Sequence, residues 1–413
     1  MISVEQALEQ VLTRIGRLEP MPVTTLEALG CVLAVDVISD VDVSPFDNSA
    51  MDGYAVRAAD TLRASEDNPV ILRVVDHIAA GAMPRATVGR REASRIMTGA
   101  PVPGGADAIV MVEHTISLDG GGSTGGTVAI AKPARVGDHI RLKGEDVRAG
   151  QTVMSAGEVV TPAGVGLLAA VGMTVVEVYR RPNVAIVSTG DELVDIAAKP
   201  GPGKIRNSNS WSLAAQVEAA GGIPHILGIA LDNEADTRAV LSRAPDFDLM
   251  VTTGGVSMGD FDVVRDVLEE IGQMDFWKVA MRPGAPQTYG TIGGTPFFGL
   301  PGNPTSTMVG FELFVRPSIR RMRGFADLFR PRTQAILGED VRKKPDRRYF
   351  MRVRLVRGSD GVATVMLSGA QSSAMLTAMH RANCLISLPE GESAFAKGTE
   401  VTCIRLDMEE GTP

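Results

Sequence analysis

Residues 249–262, Leu249-Met-Val-Thr-Thr-Gly-Gly-Val-Ser-Met-Gly-Asp-Phe-Asp262, limit what this chain can become more than any other stretch. The apolar run 249–251 reads as a buried strand. Thr252, Thr253, Gly254 and Gly255 follow, small residues whose backbone N–H groups a ligand can approach closely. Ser257, Gly259, Asp260 and Asp262 come next, and 263–268 reads as a helix. Strand, small-residue loop and helix N-terminus together make an anion site, because first-turn N–H groups lack partners. A plain strand–turn–helix joint would use the same residues. The carboxylates weigh against it: beside an anion they repel the ligand unless a cation lies between, and Mg²⁺ held by one or two carboxylates and a ligand phosphate meets that need.

The surrounding pattern repeats this unit. Strands are expected at 184–188, 224–229, 249–253 and 276–280, with helices at 209–220, 234–244, 263–271 and 305–322. Alternating strand and helix predicts an α/β domain with a mostly parallel sheet, whose ligands bind beyond the carboxyl ends of the strands. The residues following each strand are therefore candidates: Thr189-Gly190-Asp191-Glu192, Asp232-Asn233, Thr253-Gly254-Gly255, and Arg282-Pro-Gly284. Asp232 also suits a helix cap; Glu192 does not. Pro301-Gly302-Asn303-Pro304 ends a further strand at 296–300, and reads either as a second anion cradle or as a stiff lead into the next helix.

The rest of the chain is organised around this domain. Ser3-Val-Glu-Gln6 predicts a capping box opening an amphipathic helix, not a signal peptide. Asp47, Asn48, Ser49 and Asp52 crowd one polar loop, for which a self-capping turn accounts well for any one residue and less well for all four together. From there to 138 the runs are β, and Thr98-Gly99 suits either a presented hydroxyl or a local turn. Thr161-Pro predicts a helix to about Gly172. Beyond 330 strands return at 349–356, 363–367, 382–388 and 400–406. A chain of 413 residues calls for two to four domains. Its formal charge of −8 excludes nucleic acid or an anionic membrane as a general partner, so any anion must be gripped locally. No apolar run is long enough to span a bilayer. Three widely spaced cysteines suggest no disulfide framework and fit a cytoplasmic location. The five histidines lack zinc-ligand spacing.

Taken together the motifs resemble the molybdopterin molybdenumtransferases, the MoeA and gephyrin E-domain family. The resemblance rests on Phe46-Asp-Asn-Ser-Ala-Met-Asp-Gly-Tyr-Ala-Val56, Arg95-Ile-Met-Thr-Gly-Ala-Pro-Val-Pro103, Ser188-Thr-Gly-Asp-Glu-Leu193, Thr253-Gly-Gly-Val-Ser-Met-Gly259, Phe276-Trp-Lys278 and Gly299-Leu-Pro-Gly-Asn-Pro304, which span nearly the whole chain. It implies an enzyme that inserts molybdenum from molybdate into adenylylated molybdopterin, releasing AMP with Mg²⁺ involved. It implies a multidomain α/β plus β fold: an elongated discontinuous first domain (1–44 and 139–178), an inserted β-rich domain (45–138), an α/β domain similar to the molybdopterin adenylyltransferase fold (179–328), and a C-terminal β domain (329–413). A homodimer is implied, with molybdopterin adenylyltransferase as a candidate partner. On the family's pattern Asp52, Thr98, Glu192, Asp232 and Asp262 are catalytic, the last three also as metal ligands. Asp52 and Thr98 would cross the dimer interface. Ser188, Thr189, Gly190, Thr253, Gly254, Gly255, Ser257, Lys278, Arg282, Pro301, Gly302, Asn303, Pro304, Arg347 and Ser373 are implied to bind substrate, Arg347 and Ser373 at positions associated with molybdate.

The chain departs from the pattern in three places: Ala285 stands where a lysine is usual, Ser372-Ser-Ala374 replaces Gly-Ser-Gly, and Cys384 replaces a glycine. Loss of one cation weakens an anion clamp, so a second expectation is a paralogue without catalysis, or with altered activity, serving as a molybdopterin-binding or scaffold protein.

Overall fold

The computed structural model describes residues 1–119, 123–255, 263–359 and 361–408, with the backbone alone at 263 and 277. The chain divides into two compact units, one comprising Met1–Val23, Gly30–Ala34 and Glu177–Pro413, the other Thr24–Leu29 and Val35–Val176.

The first unit holds a six-stranded sheet in the order Ile223–Ala230, Asn183–Thr189, Leu249–Thr253, Thr295–Leu300, Pro286–Ile292, Gly272–Lys278. Its first four strands are parallel. Val184, Ile186, Leu249 and Val251 are fully buried, as expected for strands covered on both faces. The expected strand at 276–280 is corrected. It runs 272–278 as the sheet edge, antiparallel to Pro286–Ile292, a strand absent from the sequence reading. Thr295–Leu300 takes the fourth parallel place instead. Gly293 and Gly294, at φ 57° and 90°, link Ile292 to Thr295 in a two-residue hairpin. Two positive φ values in succession are what such a turn demands. Because both 272–278 and 295–300 run against 286–292, Lys278 still ends at the same sheet edge as the parallel strands.

Ser3 and Gln6 form the expected capping box on helix Val4–Arg14. That helix buries Val4, Ala7 and Val11, followed by Ile15, in one core with Val184, Leu249, Phe298 and Phe314. Residues 4–15 thus pack against the α/β sheet, and Pro20–Thr24 pairs with Val175–Tyr179. The expected helix at 305–322 is Pro304–Gly310 and Arg316–Met322 joined by a wider π turn, Phe311–Val315, just ahead of Pro317, which has no N–H to donate.

The C-terminal strands close on themselves. Arg348–Arg357 pairs with Ala363–Leu367, that strand with Arg332–Leu337, then Glu400–Arg405, Cys384–Leu388, and back to Arg348–Arg357. Five strands in a ring leave no free edge. Val353, Val365, Cys384, Ile386 and Cys403 fill the interior. Burial pushes the Cys384 thiol up to about 12 and that of Cys403 to about 11, so both are packing residues.

The second unit carries a six-stranded sheet in the order Ala108–Met111, Gly53–Val56, Glu92–Ile96, Val70–Ile78, Thr127–Ile130, Thr115–Ser117, over a core including Tyr54, Val56, Leu72, Val74 and Ile130. Helix Pro162–Ala170 follows Thr161, whose hydroxyl accepts from Gly164 N–H. No helix among the described residues is long and apolar enough to cross a membrane.

Candidate functional site

The parallel strands end at Ala230, Thr189, Thr253 and Leu300, and the loops beyond them enclose a cleft of 710 Å³. Thr189, Gly190, Glu192, Asp232, Thr253, Gly254, Gly255 and the whole of Pro301–Gly302–Asn303–Pro304 line it. The glycines are sterically required. Gly254 and Gly255 have φ of 91° and 63°, and a Cβ on either would strike Thr189. Gly190 has φ 143°, and a Cβ there would lie 2.5 Å from a Glu192 carboxylate oxygen. Thr189 Oγ1 is buried with no hydrogen-bond partner among the described residues, an orphan polar atom in the cleft wall.

The cleft carboxylates come from two strand ends. Asp191 N–H donates to Asp232 Oδ2 at 3.3 Å, and Asp232 N–H returns a bond to Asp191 Oδ1 at 3.1 Å. Asp232 is not a helix cap: Asn233 caps Glu234–Leu241 by accepting from Asp236 N–H at 2.9 Å. Asp191, a strand-end candidate given no role on the family's pattern, thus fixes Asp232. Glu192 is exposed; its backbone C=O accepts from Ile205 N–H at 2.8 Å, but its carboxylate accepts no hydrogen bond from a described residue. The described residues include no group of three or more metal-ligating side chains. Glu192 and Asp232 in one cleft do fit Mg²⁺, which keeps several waters and takes one or two carboxylates plus substrate phosphates. Ser257, Asp260 and Asp262 lie outside the described residues.

Ser188 does not reach the cleft. It is fully buried, donating to Asn207 Oδ1 at 2.9 Å and lying 2.8 Å from Ser210 Oγ. Asn207 in turn caps helix Ser208–Ala219. Asn207 and Asn209 line the cleft yet were not picked out from sequence. The signal available was the polar run Arg206-Asn-Ser-Asn-Ser210 ahead of an apolar-periodic helix.

Of the implied oxyanion residues, none lines the cleft directly, though their neighbours Pro286 and Ala374 do. Lys278 is opposite Pro286 in the sheet and has no ion-pair partner among the described residues. The Arg282 guanidinium lies 5.6 Å from the Tyr349 ring, whose other close cation is Lys343 Nζ at 5.0 Å. Arg347 Nε is paired with Asp346 at 2.9 Å. Ser373 C=O accepts from Thr305 N–H at 3.1 Å, tying its loop to the helix that follows Pro301–Pro304.

In the second unit Asp52 and Thr98 form one exposed pair. Asp52 Oδ1 accepts from Thr98 N–H at 2.7 Å and from its hydroxyl at 2.8 Å. These two bonds hold the Asp52 carboxyl below its ordinary value. Asn48 and Ser49 behave as a self-capping turn instead, Asn48 donating to Ser44 and Ser49 to Met51 C=O, while Asp47 accepts from the distant Lys143 N–H.

Comparison with known proteins covers the same ground. Residues 2–172 match the family model for the MoeA N-terminal region (domain I and II), 185–321 the "Probable molybdopterin binding domain", and 334–406 the MoeA C-terminal region (domain IV). Molybdopterin molybdenumtransferase 2 of Mycobacterium tuberculosis is 42% identical over 408 residues, 97% of this chain and 98% of that protein. The molybdopterin molybdenumtransferase of Staphylococcus aureus (strain COL) is 37% identical over 410 residues, 99% of this chain and 96% of that protein. A solved structure of a molybdopterin biosynthesis moeA protein from Pyrococcus horikoshii superimposes with a TM-score of 0.84 at 34% identity, covering 99% of this chain and 100% of that one.

Proposed function

We propose, from the premise that this chain belongs to the MoeA family of molybdopterin molybdenumtransferases, that it acts in molybdenum cofactor biosynthesis, inserting molybdenum from molybdate into adenylylated molybdopterin with release of AMP. The observation that carries the reading is the cleft: glycine loops beyond the carboxyl ends of the parallel strands, sharing one cavity with two carboxylates. A diphosphate fits the backbone N–H groups of Gly255 and Gly302, while that of Gly254 donates to Leu300 C=O at 3.1 Å. Glu192 and Asp232, with Asp262, would hold Mg²⁺, which when bound neutralises charge on the phosphate oxygens. Lys278, Arg282, Arg347 and Ser373 are assigned to molybdate. Positioning and electrostatics carry the catalysis; no nucleophile–base pair enters the scheme.

Further elements belong to the same reading. The enzyme works as a homodimer in the cytoplasm, Asp52 and Thr98 serving the site of a second copy, with molybdopterin adenylyltransferase as the source of its substrate. Buried free thiols at Cys384 and Cys403 suit a reducing compartment. The scaffold alternative is weaker, because a scaffold has no use for Glu192 and the Asp191–Asp232 exchange at a cleft mouth. Incubating the protein with adenylylated molybdopterin, molybdate and Mg²⁺ should release AMP, and a chelator should stop it. Absence of AMP from the complete mixture would sink the assignment; AMP release indifferent to chelation would remove the metal.

A further inference from the structure

Asn209 stands in the first turn of helix Ser208–Ala219 and lines the cleft. Its Nδ2 donates to Thr253 Oγ1 at 2.8 Å and to Gly302 C=O at 2.7 Å. A backbone carbonyl can only accept, so the amide nitrogen must face Gly302 and the orientation is unambiguous. Thr253 Oγ1, having accepted from Asn209, donates its own hydrogen to Pro301 C=O at 3.1 Å, and Thr307 Oγ1 donates to the same carbonyl at 2.5 Å. The glycines of the two loops are nearly in contact: a Cβ on Gly302 would lie 3.6 Å from Gly254 Cα. One side-chain amide therefore ties the loop after strand Leu249–Thr253 to the loop after strand Thr295–Leu300.

The amide does this at a cost. Asn209 Oδ1 is buried with no partner among the described residues. An unpaired buried acceptor is unfavourable and is kept only when something else dictates the orientation. Here the two donor bonds dictate it.

We propose that Asn209 is a positioning residue that sets the spacing of the two phosphate-facing loops, and that it acts as a hydrogen-bond donor and not by filling space. The inference rests on reading the cleft as the site for adenylylated molybdopterin, and adds the residue on which the cradle's shape depends. Asn209→Asp is the decisive variant: nearly the same shape, no donor when ionised, and a carboxylate oxygen set against the Gly302 carbonyl. That carbonyl also raises the new carboxyl's pKa.

Calorimetric titration with inorganic pyrophosphate and, separately, with adenylylated molybdopterin should be run at pH 8 and pH 5.5, each variant as a ratio to wild type. Asn209→Asp should bind both ligands at least tenfold more weakly at pH 8, with a thermal midpoint near wild type. At pH 5.5 the protonated carboxyl donates again and the ratio should shrink, while Asn209→Ala should stay weak at both pH values. In AMP release the loss should appear in KM more than in kcat. Wild-type affinity in Asn209→Asp at pH 8, or the same pH response in Asn209→Ala, overturns the proposal. Should Asn209→Asp not fold, Thr253→Val removes the hydroxyl that Asn209 grips and should weaken both ligands; unchanged binding overturns it equally. A wild type that binds pyrophosphate but not adenylylated molybdopterin sinks the substrate assignment alone, and the donor role is then judged on pyrophosphate.

Discussion

Asp52 and Glu192 are both exposed carboxylates on glycine-containing turns, yet the chain treats them in opposite ways. Asp52 is held by a second loop of its own unit: the Thr98 N–H and hydroxyl both point at Oδ1 and keep the group ionised. The Glu192 carboxylate folds over Gly190, whose φ of 143° suits glycine, and receives no donor from the described residues. A carboxylate satisfied by its own chain is oriented in advance. One without donors is left to be satisfied by water, a cation or a ligand. The difference teaches which group the unbound protein has already positioned and which is waiting for a partner.

The sharpest way to break the comparison is to remove the charge that lacks a partner. Glu192→Gln should lower AMP release by on the order of 10²-fold or more, the scale seen when one preorganised electrostatic contact is lost, with the thermal midpoint within a few degrees of wild type. Unfolding of this variant would make Glu192 a structural residue. Asp52 is expected to serve the same reaction from another copy of the chain. Mixing inactive Asp52→Ala subunits with inactive Glu192→Gln subunits should therefore restore part of the activity, since a mixed dimer holds one intact site. No recovery after demonstrated subunit exchange would count against sharing.

Ala285 gives a smaller effect. Its carbonyl accepts from Val279 N–H at 2.9 Å, and its neighbour Pro286 is opposite Lys278, so position 285 lies next to Lys278 along the backbone. Arg282 leans on Tyr349 and Arg347 is paired with Asp346, so neither is committed to the space a lysine would occupy. Ala285→Lys should tighten molybdate binding roughly tenfold, about 1.4 kcal/mol, in a calorimetric titration at matched salt. The smallest effect concerns protons. The folded carboxyl of Asp52 titrates below the ordinary value of roughly 3.9, so its bonds to Thr98 contribute stability above that value and are lost as pH falls through the folded pKa. Thr98→Ala keeps the N–H and loses the hydroxyl. NMR titration should then find the Asp52 pKa moved only part of the way up; a value unchanged from wild type would leave the hydroxyl without influence.

Much of the architecture was legible because local rules decided it. Ser3 with Gln6, Thr161 with Pro162, and the apolar runs at 184–187 and 249–251 are set by capping and burial, which neighbours in sequence specify. The glycine and carboxylate loops at strand ends were legible for the same reason. Strand 286–292 was not. Pro286 and Gly290 interrupt a run that its threonines, Tyr289 and Ile292 would otherwise favour as a strand, and pairing on both sides holds it in the sheet. Ser188 looked like part of the ligand motif, but a side chain's direction depends on what packs beside it, and Asn207 and Ser210 claim this one. The residue types and their order along the chain determined an α/β sheet with an anion-binding edge. Which polar atoms face the cleft, that Asn209 joins two loops 44 and 93 positions away, and that Asp232 answers to Asp191 were decided by tertiary structure alone, because hydrogen bonds between distant segments exist only once the sheet has brought them together.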